Sequence, residues 1–402
     1  MSPTVSHRAA NVRSSAIRDL LANARMPGML SLAGGLPEPS TFPTTILAEA
    51  ARVRLGGSPD VLQYAPTEGD ARLREHIAAY ETVRQLHDVD PGNVLVTTGS
   101  QQALAMVANV IADAGDTIAV PHPCYLGALQ TFGAAGLRLH PVRLQGGQLD
   151  LDQLENDLRR GVRIAAMYVV ANHGNPDGSR LDEAANRRLA GLAESFGFWI
   201  LEDDPYRELW FDTPPAPALP AYTANAITLG SFSKTIAPGL RVGWLVASGD
   251  VRNALVRLKQ AADLHTSSLS QALIADLLDT PGWFIQHVEM LRSLYASRRD
   301  ALSASLVETF GARLRFEPPT GGMFAWAELE GVDTSALLGA ALPKGVCFVP
   351  GAEFEAGGDS LRTWLRLSYA TLDAEQLAEG VRRVADAVTE LDAAPGSLIV
   401  AR

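Results

Sequence analysis

From Asn93 onward, apolar runs of strand length alternate with helical patterns. The runs are NVLVTTG, DTIAVP, RIAAMYVV and FWILEDD, and the segments between them include SQQALAMVANVIADAG and LDEAANRRLAGLAESFG. Strands that are apolar on both faces and joined by helices predict a mostly parallel sheet that helices cover on both sides. Such sheets bind ligands beyond the carboxyl ends of their strands, so the functional residues are expected there.

The last third of the sequence has a different pattern. After a long helical pattern that begins at PGWFIQHVEM come the short apolar runs MFAWAEL, VCFVPG and WLRLSYA. A group of short strands flanked by helices predicts a smaller α+β domain. We predict a large domain over residues 46–285 and a small C-terminal domain over 286–402. The segment 1–45 has too little sequence to bury a core of its own and is expected to pack on the rest.

Composition narrows the class of protein. The 402 residues, 47% of them hydrophobic, suffice for a large core, and the formal charge of −11 includes no concentrated basic stretch that would bind nucleic-acid phosphates. The sequence opens without a long apolar run and contains none of about 18 uncharged residues, which disfavours secretion and membrane insertion. Cys124 and Cys347 lack the spacing of a zinc site, so we expect buried thiols in a cytoplasmic protein without a metal.

The stretch GSFSKTIAPGLRVGW places several phosphate-binding groups close together. Ser231 and Ser233 offer hydroxyls, Arg241 offers a guanidinium, and Lys234 lies between them. Hydroxyls, turn amides and a guanidinium are the donors that hold a phosphate dianion. The spacing Ser231-x-x-Lys234 also occurs in serine acyl-enzymes, but the S-D-N and K-T-G elements of those enzymes are absent from the sequence.

Three further motifs follow predicted strands. TTGSQQAL, residues 97–104, ends a strand in a glycine turn and begins a helix, whose free amides make an anion site. LEDDPYREL ends a strand in Asp203 and Asp204, and a buried carboxylate there could keep a heterocyclic nitrogen protonated. GNPDG, residues 174–178, has turn chemistry and lies at another strand end.

A phosphate site, a carboxylate for a ring nitrogen, a phenol and a lysine amine together describe a pyridoxal phosphate site. The sequence resembles the fold type I aminotransferases of class I/II, in the branch of the 2-aminoadipate and kynurenine aminotransferases. The matching motifs are AIRDLL, SLAGGLPEPSTFP, LQYAPTEG, TTGSQQAL, PCYLGAL, GNPDG, EDDPY, SFSKTIAPGLRVGW and LRLSYA. The resemblance implies an α/β fold with a mostly parallel, seven-stranded-type sheet in the large domain, a smaller α+β domain, and pyridoxal 5'-phosphate as cofactor.

The resemblance also implies cofactor contacts. Lys234 is expected to bond to the cofactor carbonyl and to move the substrate proton, and Asp203 to face the pyridine nitrogen, with Asp204 as its outward neighbour in a packing or capping role. Tyr206 and Asn175 correspond to the pair that hydrogen-bonds the phenolic oxygen. The expected ring and phosphate contacts are Tyr125, which stacks on the ring, Gly99, Ser100, Gln101, Ser231, Ser233 and Arg241, and Tyr64 from the partner subunit of a homodimer.

On the substrate side, Arg366 in WLRLSYA corresponds to the arginine that binds the substrate α-carboxylate, together with Asn175. Gly35 in LAGGLP is expected close to the substrate, and Arg18 in AIRDLL at the entrance, where the segment 1–45 packs on the small domain. The sequence departs from the family in one motif: the usual Asn-Pro-Thr-Gly is GNPDG here, preceded by His173. A change of polarity near the substrate, through His173 and Asp177, is therefore one alternative, while a lone histidine beside a turn is more often structural.

The predicted reaction is transfer of an amino group from an L-amino acid with an aromatic, aminoadipate-like or other long side chain to a 2-oxo acid. The same catalytic groups would also serve elimination, replacement or carbon–carbon bond formation, because fold and cofactor do not choose among these outcomes. A third alternative is a transcriptional regulator that uses this fold as a sensor, although the residues before TTGSQQAL are occupied by family motifs.

Overall fold

The structure is a computed structural model that describes Val5 and residues 26–145 and 147–393. Arg18 lies outside these residues. The helices of the described part are α1 (Thr44–Gly56), α2 (Ala71–Gln85), α3 (Ser100–Ile111), α4 (Leu126–Ala135), α5 (Leu151–Arg159), α6 (Glu183–Phe196), α7 (Gly249–Ala262), α8 (Ser268–Leu278), α9 (Trp283–Phe310), α10 (Thr334–Ala341) and α11 (Ala374–Ala393).

The same part of the chain contains the strands of three sheets. They are β1 (Leu30–Ser31), β2 (Val94–Thr97), β3 (Thr117–His122), β4 (Arg138–Gln145), β5 (Gln148–Leu149), β6 (Ala166–Val169), β7 (Trp199–Asp203), β8 (Ala226–Ser231), β9 (Gly243–Val246), β10 (Leu314–Phe316), β11 (Phe324–Leu329), β12 (Val346–Cys347), β13 (Val349–Pro350) and β14 (Trp364–Ser368).

The large sheet has the order β2-β9-β8-β7-β6-β3-β4-β5. Its strands from β8 to β4 run parallel, whereas β9 is antiparallel to both of its neighbours and the short β5 turns back on β4. Every residue of β2 and β6 is buried, as expected for strands that pack on both faces. The prediction of an α/β fold with a mostly parallel sheet is therefore confirmed.

The second sheet is smaller and antiparallel, with the order β10-β11-β14-β13. Its core includes side chains of α9, α10 and α11. The short strand β1 pairs in parallel with β12, so the segment that begins at Leu30 is fixed beside this sheet. The predicted smaller α+β unit is present, while the boundaries at residues 46 and 286 stay a prediction.

Two kinds of feature are absent from the described residues. No helix among them is long and apolar enough to cross a bilayer, and no group of three or more His, Cys, Asp or Glu side chains could hold a metal ion. Both cysteines are buried thiols.

One face of α2 is polar and yet wholly buried. Arg84 donates to Glu81 at 2.7 Å and, across to the end of β7, to Asp204 at 2.7 Å. Trp244 of β9 donates its indole N–H to Glu81 at 2.8 Å. Buried charges are tolerated only when they are paired, and here one guanidinium serves two carboxylates. The network therefore attaches α2 to the strand that carries the predicted ring-nitrogen carboxylate.

We expect Arg84→Leu to lower the free energy of unfolding of the cofactor-free protein by about 3–5 kcal/mol, because it leaves Glu81 buried without its cation and leaves Asp204 with the more distant Arg207, at 3.6 Å. The matched control is Arg159→Leu, which removes an exposed pair with Glu155 and should lower the free energy of unfolding far less. Urea denaturation followed by circular dichroism compares the two variants. Equal midpoints would show that the buried network is not needed for stability.

Candidate active site

A cleft of about 260 Å³ opens at the carboxyl ends of the large sheet, where residues of β11 and β14 close its other side. It is lined by Gly35, Leu36, Ser100, Gln101, Tyr125, Val170, Asn175, Asp203, Pro205, Tyr206, Ser231, Ser233, Lys234, Pro238, Arg241, Phe324 and Arg366. Most residues predicted from the sequence thus share one cavity. Gly99 lies just behind the wall, and Tyr64 lies apart on the surface.

Lys234 lies in the turn between β8 and β9. Because these two strands pair antiparallel, their connection lies at the cleft. Its Nζ donates a hydrogen bond to the carbonyl of Gly35 at 2.8 Å. Burial, together with the nearby cations Arg366 and Arg241, lowers the pKa of Lys234 to about 8. A much larger fraction of this amine is therefore neutral and nucleophilic at physiological pH than for an exposed lysine.

The same turn supplies the polar groups of an anion site. The Ser231 hydroxyl donates to the Ser233 hydroxyl at 2.9 Å and accepts from the Ser233 amide. Arg241 crosses to the turn before α3 and donates to the carbonyl of Thr98 at 3.2 Å. Because Gly99 caps α3 without a side chain, the first amides of that helix stay available for an anion.

Gly99 is required by the position of Arg241. The glycine has a φ of +81°, and a Cβ added to it would lie 2.5 Å from the Arg241 guanidinium. Any other residue would push the arginine away and strain the backbone. A guanidinium, two hydroxyls and helix-start amides around one small space fit a phosphate group.

Asp203 ends β7 with its carboxylate buried. One oxygen, Oδ2, accepts from the hydroxyl of Tyr168 at 2.9 Å, and the other, Oδ1, is buried without a hydrogen-bond partner among the described residues. Burial, with a contribution from the neighbouring Asp204, raises the pKa of Asp203 to about 7 against the lowering effects of Tyr168 and Lys234. A buried acceptor without a donor fits a protonated ring nitrogen, so the site suits pyridoxal phosphate at both ends.

Of the two phenols of the cleft, Tyr206 is buried and Tyr125 is half-buried. Tyr125 precedes α4, its hydroxyl is 3.4 Å from the side-chain oxygen of Gln101, and burial raises its pKa to about 12. Tyr206 contacts Phe324 edge-on with 5.8 Å between the ring centroids, and burial raises its pKa as well. Both hydroxyls are therefore protonated at neutral pH and can donate hydrogen bonds.

Arg366 lies in β14 at the opposite side of the cleft and is almost wholly buried. It donates to the side-chain oxygen of Asn175 at 2.8 Å and to the carbonyl of Ala33, and it lies 4.3 Å above the ring of Phe324. Its Nε has no partner among the described residues, and burial lowers its pKa to about 10. A buried guanidinium with an unused donor can bind a carboxylate.

Neither Asp204 nor His173 lines the cleft. Asp204, predicted as an outward neighbour, is buried and accepts from Arg84 and, at 2.9 Å, from Asn172. It is buried in the ionic network because a carboxylate next to Asp203 needs a cation of its own. His173 does not line the cleft, because its ring packs flat over Gly321, where a Cβ would lie 2.3 Å from it.

His173 and Asp177 differ in how they relate to the site. Burial lowers the pKa of His173 to about 3, and with both ring nitrogens unpartnered it is a neutral packing residue. Asp177 lines a narrow side cleft together with Tyr125 and Asn175, and burial raises its pKa to about 6. Of the two departures from the family motif, only Asp177 therefore lies next to site residues.

Sequence reasoning missed the residues that support the site from behind. Tyr168 was read as part of an apolar strand, although a lone phenol within such a run needs a buried partner. Lys259 is buried and donates to Gln102 at 2.9 Å and to Asp263 at 2.9 Å, while Gln102 accepts from the amide of Thr98. The i,i+4 spacing of Lys259 and Asp263 was visible in the sequence, but its position behind the anion site was not.

Comparisons with known proteins agree with this geometry. The family model described as aminotransferase class I and II matches residues 28–384. The chain is 42% identical over 95% of its length, and 96% of the relative's, to a 2-aminoadipate transaminase of Thermus thermophilus. It is 35% identical to an aromatic-amino-acid aminotransferase of Thermococcus litoralis, over 96% of this chain and 94% of the relative.

The fold agrees as well. The crystal structure of an α-aminoadipate aminotransferase from Thermus thermophilus, complexed with N-(5'-phosphopyridoxyl)-L-leucine, superposes with a TM-score of 0.89 at 40% identity, covering 97% of this chain and 98% of that chain. Because the family match spans most of the sequence and its relatives align along nearly their whole length, the chain belongs to the class I and II aminotransferases and is a pyridoxal-phosphate-dependent transaminase.

Proposed function

We propose that this transaminase moves the amino group of an L-amino acid with an aromatic, aminoadipate-like or other long side chain to a 2-oxo acid, through the residues predicted from the sequence. The observation that carries the assignment is the meeting of Lys234, Asp203 and Arg366 in one buried cleft with unused polar atoms on Asp203 and Arg366. When bound, pyridoxal phosphate supplies a carbonyl for amines and a ring that takes up the electrons released at Cα.

The roles of the residues follow from their positions. Ser231, Ser233 and Arg241, with the amides at the start of α3, would hold the phosphate, and Tyr125 would contact the ring. Asp203 keeps the ring nitrogen protonated through its free Oδ1. Ser100 and Gln101 contribute through their amides, because the side-chain nitrogen of Gln101 already donates to Thr131 at 2.7 Å.

Lys234 is proposed to act as the general base and acid. Its lowered pKa lets the neutral amine accept the Cα proton near physiological pH and return it to a neighbouring carbon. Asn175 and Tyr206 donate to the phenolic oxygen from the other edge of the ring. Arg366 holds the α-carboxylate, and the buried surroundings of Phe324 exclude the water that would weaken this ion pair.

The side-chain preference is proposed from two sources. The relatives are described as a 2-aminoadipate transaminase and an aromatic-amino-acid aminotransferase. In this chain, Gly35 and the apolar Leu36 and Phe324 line the cleft near Arg366 and leave space for a long side chain. Arg18, proposed at the entrance, lies outside the described residues.

A homodimer is proposed from the surface around Tyr64. The side chain of Tyr64 is 79% exposed and touches the ring of His265 edge-on. Helix α1 beside it has no buried residue, and Val53, Leu55 and Leu62 are exposed as well. A second copy that covers this surface would bring Tyr64 to the partner's phosphate site. We place this dimer in the cytoplasm, as its buried reduced thiols suggest.

The decisive experiment mixes the cofactor-loaded enzyme with one amino acid at a time, without any 2-oxo acid. We expect 2-aminoadipate, aromatic or other long substrates to give pyridoxamine phosphate and the matching oxo acid in equal amounts, and Lys234→Ala to give neither. Chromatography of cofactor and product measures both. Release of other products from the amino acid without pyridoxamine phosphate would instead support elimination or replacement chemistry.

Asp203→Asn is expected to act in opposite directions on stability and on cofactor binding. In the cofactor-free protein the pKa of Asp203 lies near 7 rather than its ordinary 3.8, so ionisation destabilises the fold increasingly as pH rises from about 4 to 7. The variant should therefore melt higher than the unsubstituted protein above pH 7, with the advantage vanishing near pH 4.

The same variant should bind pyridoxal phosphate more weakly, because a neutral amide cannot form an ion pair with a protonated ring nitrogen. Thermal melts from pH 4 to 8 and equilibrium titration with cofactor measure the two effects. A variant that is less stable at high pH and also binds weakly would point to general structural damage and contradict the assigned role.

For the dimer, we expect Leu62→Asp to shift the protein toward monomer, because it buries a charge at the proposed interface. Light scattering measures the mass, and cofactor titration should show weaker binding where the dimer is lost, since Tyr64 then no longer reaches a partner. The control is Val83→Asp, an exposed apolar residue on α2. An unchanged mass for Leu62→Asp would place the interface elsewhere.

A further inference from the structure

We infer that Tyr168 is a positioning residue for the reaction: its hydroxyl fixes Asp203 so that one carboxylate oxygen faces the ring nitrogen of the cofactor and the carboxylate stays ionised. The inference rests on the proposed role of Asp203 and adds a residue behind it that does not line the cleft.

Sheet register brings the two side chains together. In the parallel pair β6 and β7, Tyr168 lies opposite Leu201, and Asp203 lies two residues further along β7. Side chains two residues apart on a strand point to the same face, so Tyr168 and Asp203 are diagonal neighbours on one side of the sheet. Such a diagonal is spanned by a long aromatic side chain, and here it ends in a hydrogen bond of 2.9 Å.

The surroundings hold Tyr168 in this direction. The side chain is completely buried in an apolar cluster, with its ring against Phe132 at 5.4 Å between centroids. Its hydroxyl is the polar end of an otherwise apolar side chain, and a buried hydroxyl needs a partner. Asp203 Oδ2 is that partner, so the phenol is directed at one oxygen and leaves Oδ1 for the cofactor.

The hydrogen bond also affects the charge on Asp203. Burial and the nearby Asp204 both favour the protonated carboxyl, and within the described residues the donor that bonds directly to its oxygens is Tyr168. A donor to a carboxylate stabilises the ionised form. Without it, the proton shared with the ring nitrogen would shift toward the carboxylate, and the ring would accept electrons from Cα less readily.

The experiment compares two cofactors on the intact protein. The substitution is Tyr168→Phe, which keeps the ring and removes the hydroxyl. The control is Tyr369→Phe, which removes another buried hydroxyl, one that donates to the carbonyl of Gly321 at 3.0 Å and lies outside the cleft. Cofactor-free protein is titrated with pyridoxal phosphate and with its 1-deaza analogue, in which a carbon replaces the ring nitrogen.

Tyr168→Phe should lose affinity for pyridoxal phosphate by roughly tenfold, the effect of one hydrogen bond to a charged group, and should lose little affinity for the deaza analogue. Tyr369→Phe should change the affinity for both ligands by the same factor. When the cofactor-loaded protein is mixed with an amino acid without any 2-oxo acid, Tyr168→Phe should react more slowly than the unsubstituted protein. This difference in rate should be largest at low pH and should narrow as pH rises, because the pH then exceeds the pKa of Asp203, which loss of the Tyr168 hydrogen bond raises.

Equal loss for the two ligands would overturn the inference, since it would show only structural damage. Asp203→Asn, measured in parallel, separates this failure from failure of the proposed function. If Asp203→Asn discriminates between the ligands and Tyr168→Phe does not, only the inference on Tyr168 is wrong. If neither discriminates, the proposed role of Asp203 is wrong.

If Tyr168→Phe does not fold, a ring-fluorinated tyrosine at position 168 keeps the hydroxyl and makes it a stronger donor. This protein should bind pyridoxal phosphate more tightly relative to the deaza analogue, and its half-reaction should keep its rate to lower pH. An unchanged ratio of affinities together with an unchanged pH profile would overturn the inference.

Discussion

Two adjacent carboxylates at the buried end of β7 are the constraint on which the site depends. Neither Asp203 nor Asp204 is solvated, and the neighbouring Asp204 raises the pKa of Asp203. The fold resolves this by giving them different surroundings. Asp204 pairs with Arg84 and Asn172, whereas Asp203 has one phenol donor and a free oxygen. The network from α2 thus pairs Asp204 and leaves an oxygen of Asp203 for the proposed contact with the cofactor.

The rest of the site is arranged around that carboxylate by sheet topology. Strand β8 runs parallel to β7, and its turn into the antiparallel β9 carries Lys234 and the serines past the same edge. The turn before α3 meets this edge because β2 pairs with the other side of β9. The proposed phosphate site and the proposed ring-nitrogen partner Asp203 thus line the same cleft as Lys234.

The position of several residues at this edge of the sheet could be predicted from the sequence, for physical reasons. Lys234, Arg241 and Asp203 follow apolar strands, and chemistry at strand ends can be read from the order of residues alone. Tyr168, Arg84 and Lys259 could not be assigned in this way, because their partners are distant in sequence and only the strand and helix packing brings them together. The burial of Asp204 could not be predicted for the same reason, since the cation nearest to it, Arg84, lies 120 residues away in α2. His173 packs against a glycine of another segment, in the structural role that is more usual for a lone histidine beside a turn.

The segment that follows β1 supplies two backbone acceptors to side chains of the cleft. The carbonyl of Ala33 accepts from Arg366, and the carbonyl of Gly35 accepts from Lys234. These two backbone atoms therefore compete for the groups that are proposed to bind substrate and cofactor. Measured affinities are differences between the bonds gained with the ligand and these bonds lost, so a change that only loosens residues 33–35 could tighten binding without touching either ligand.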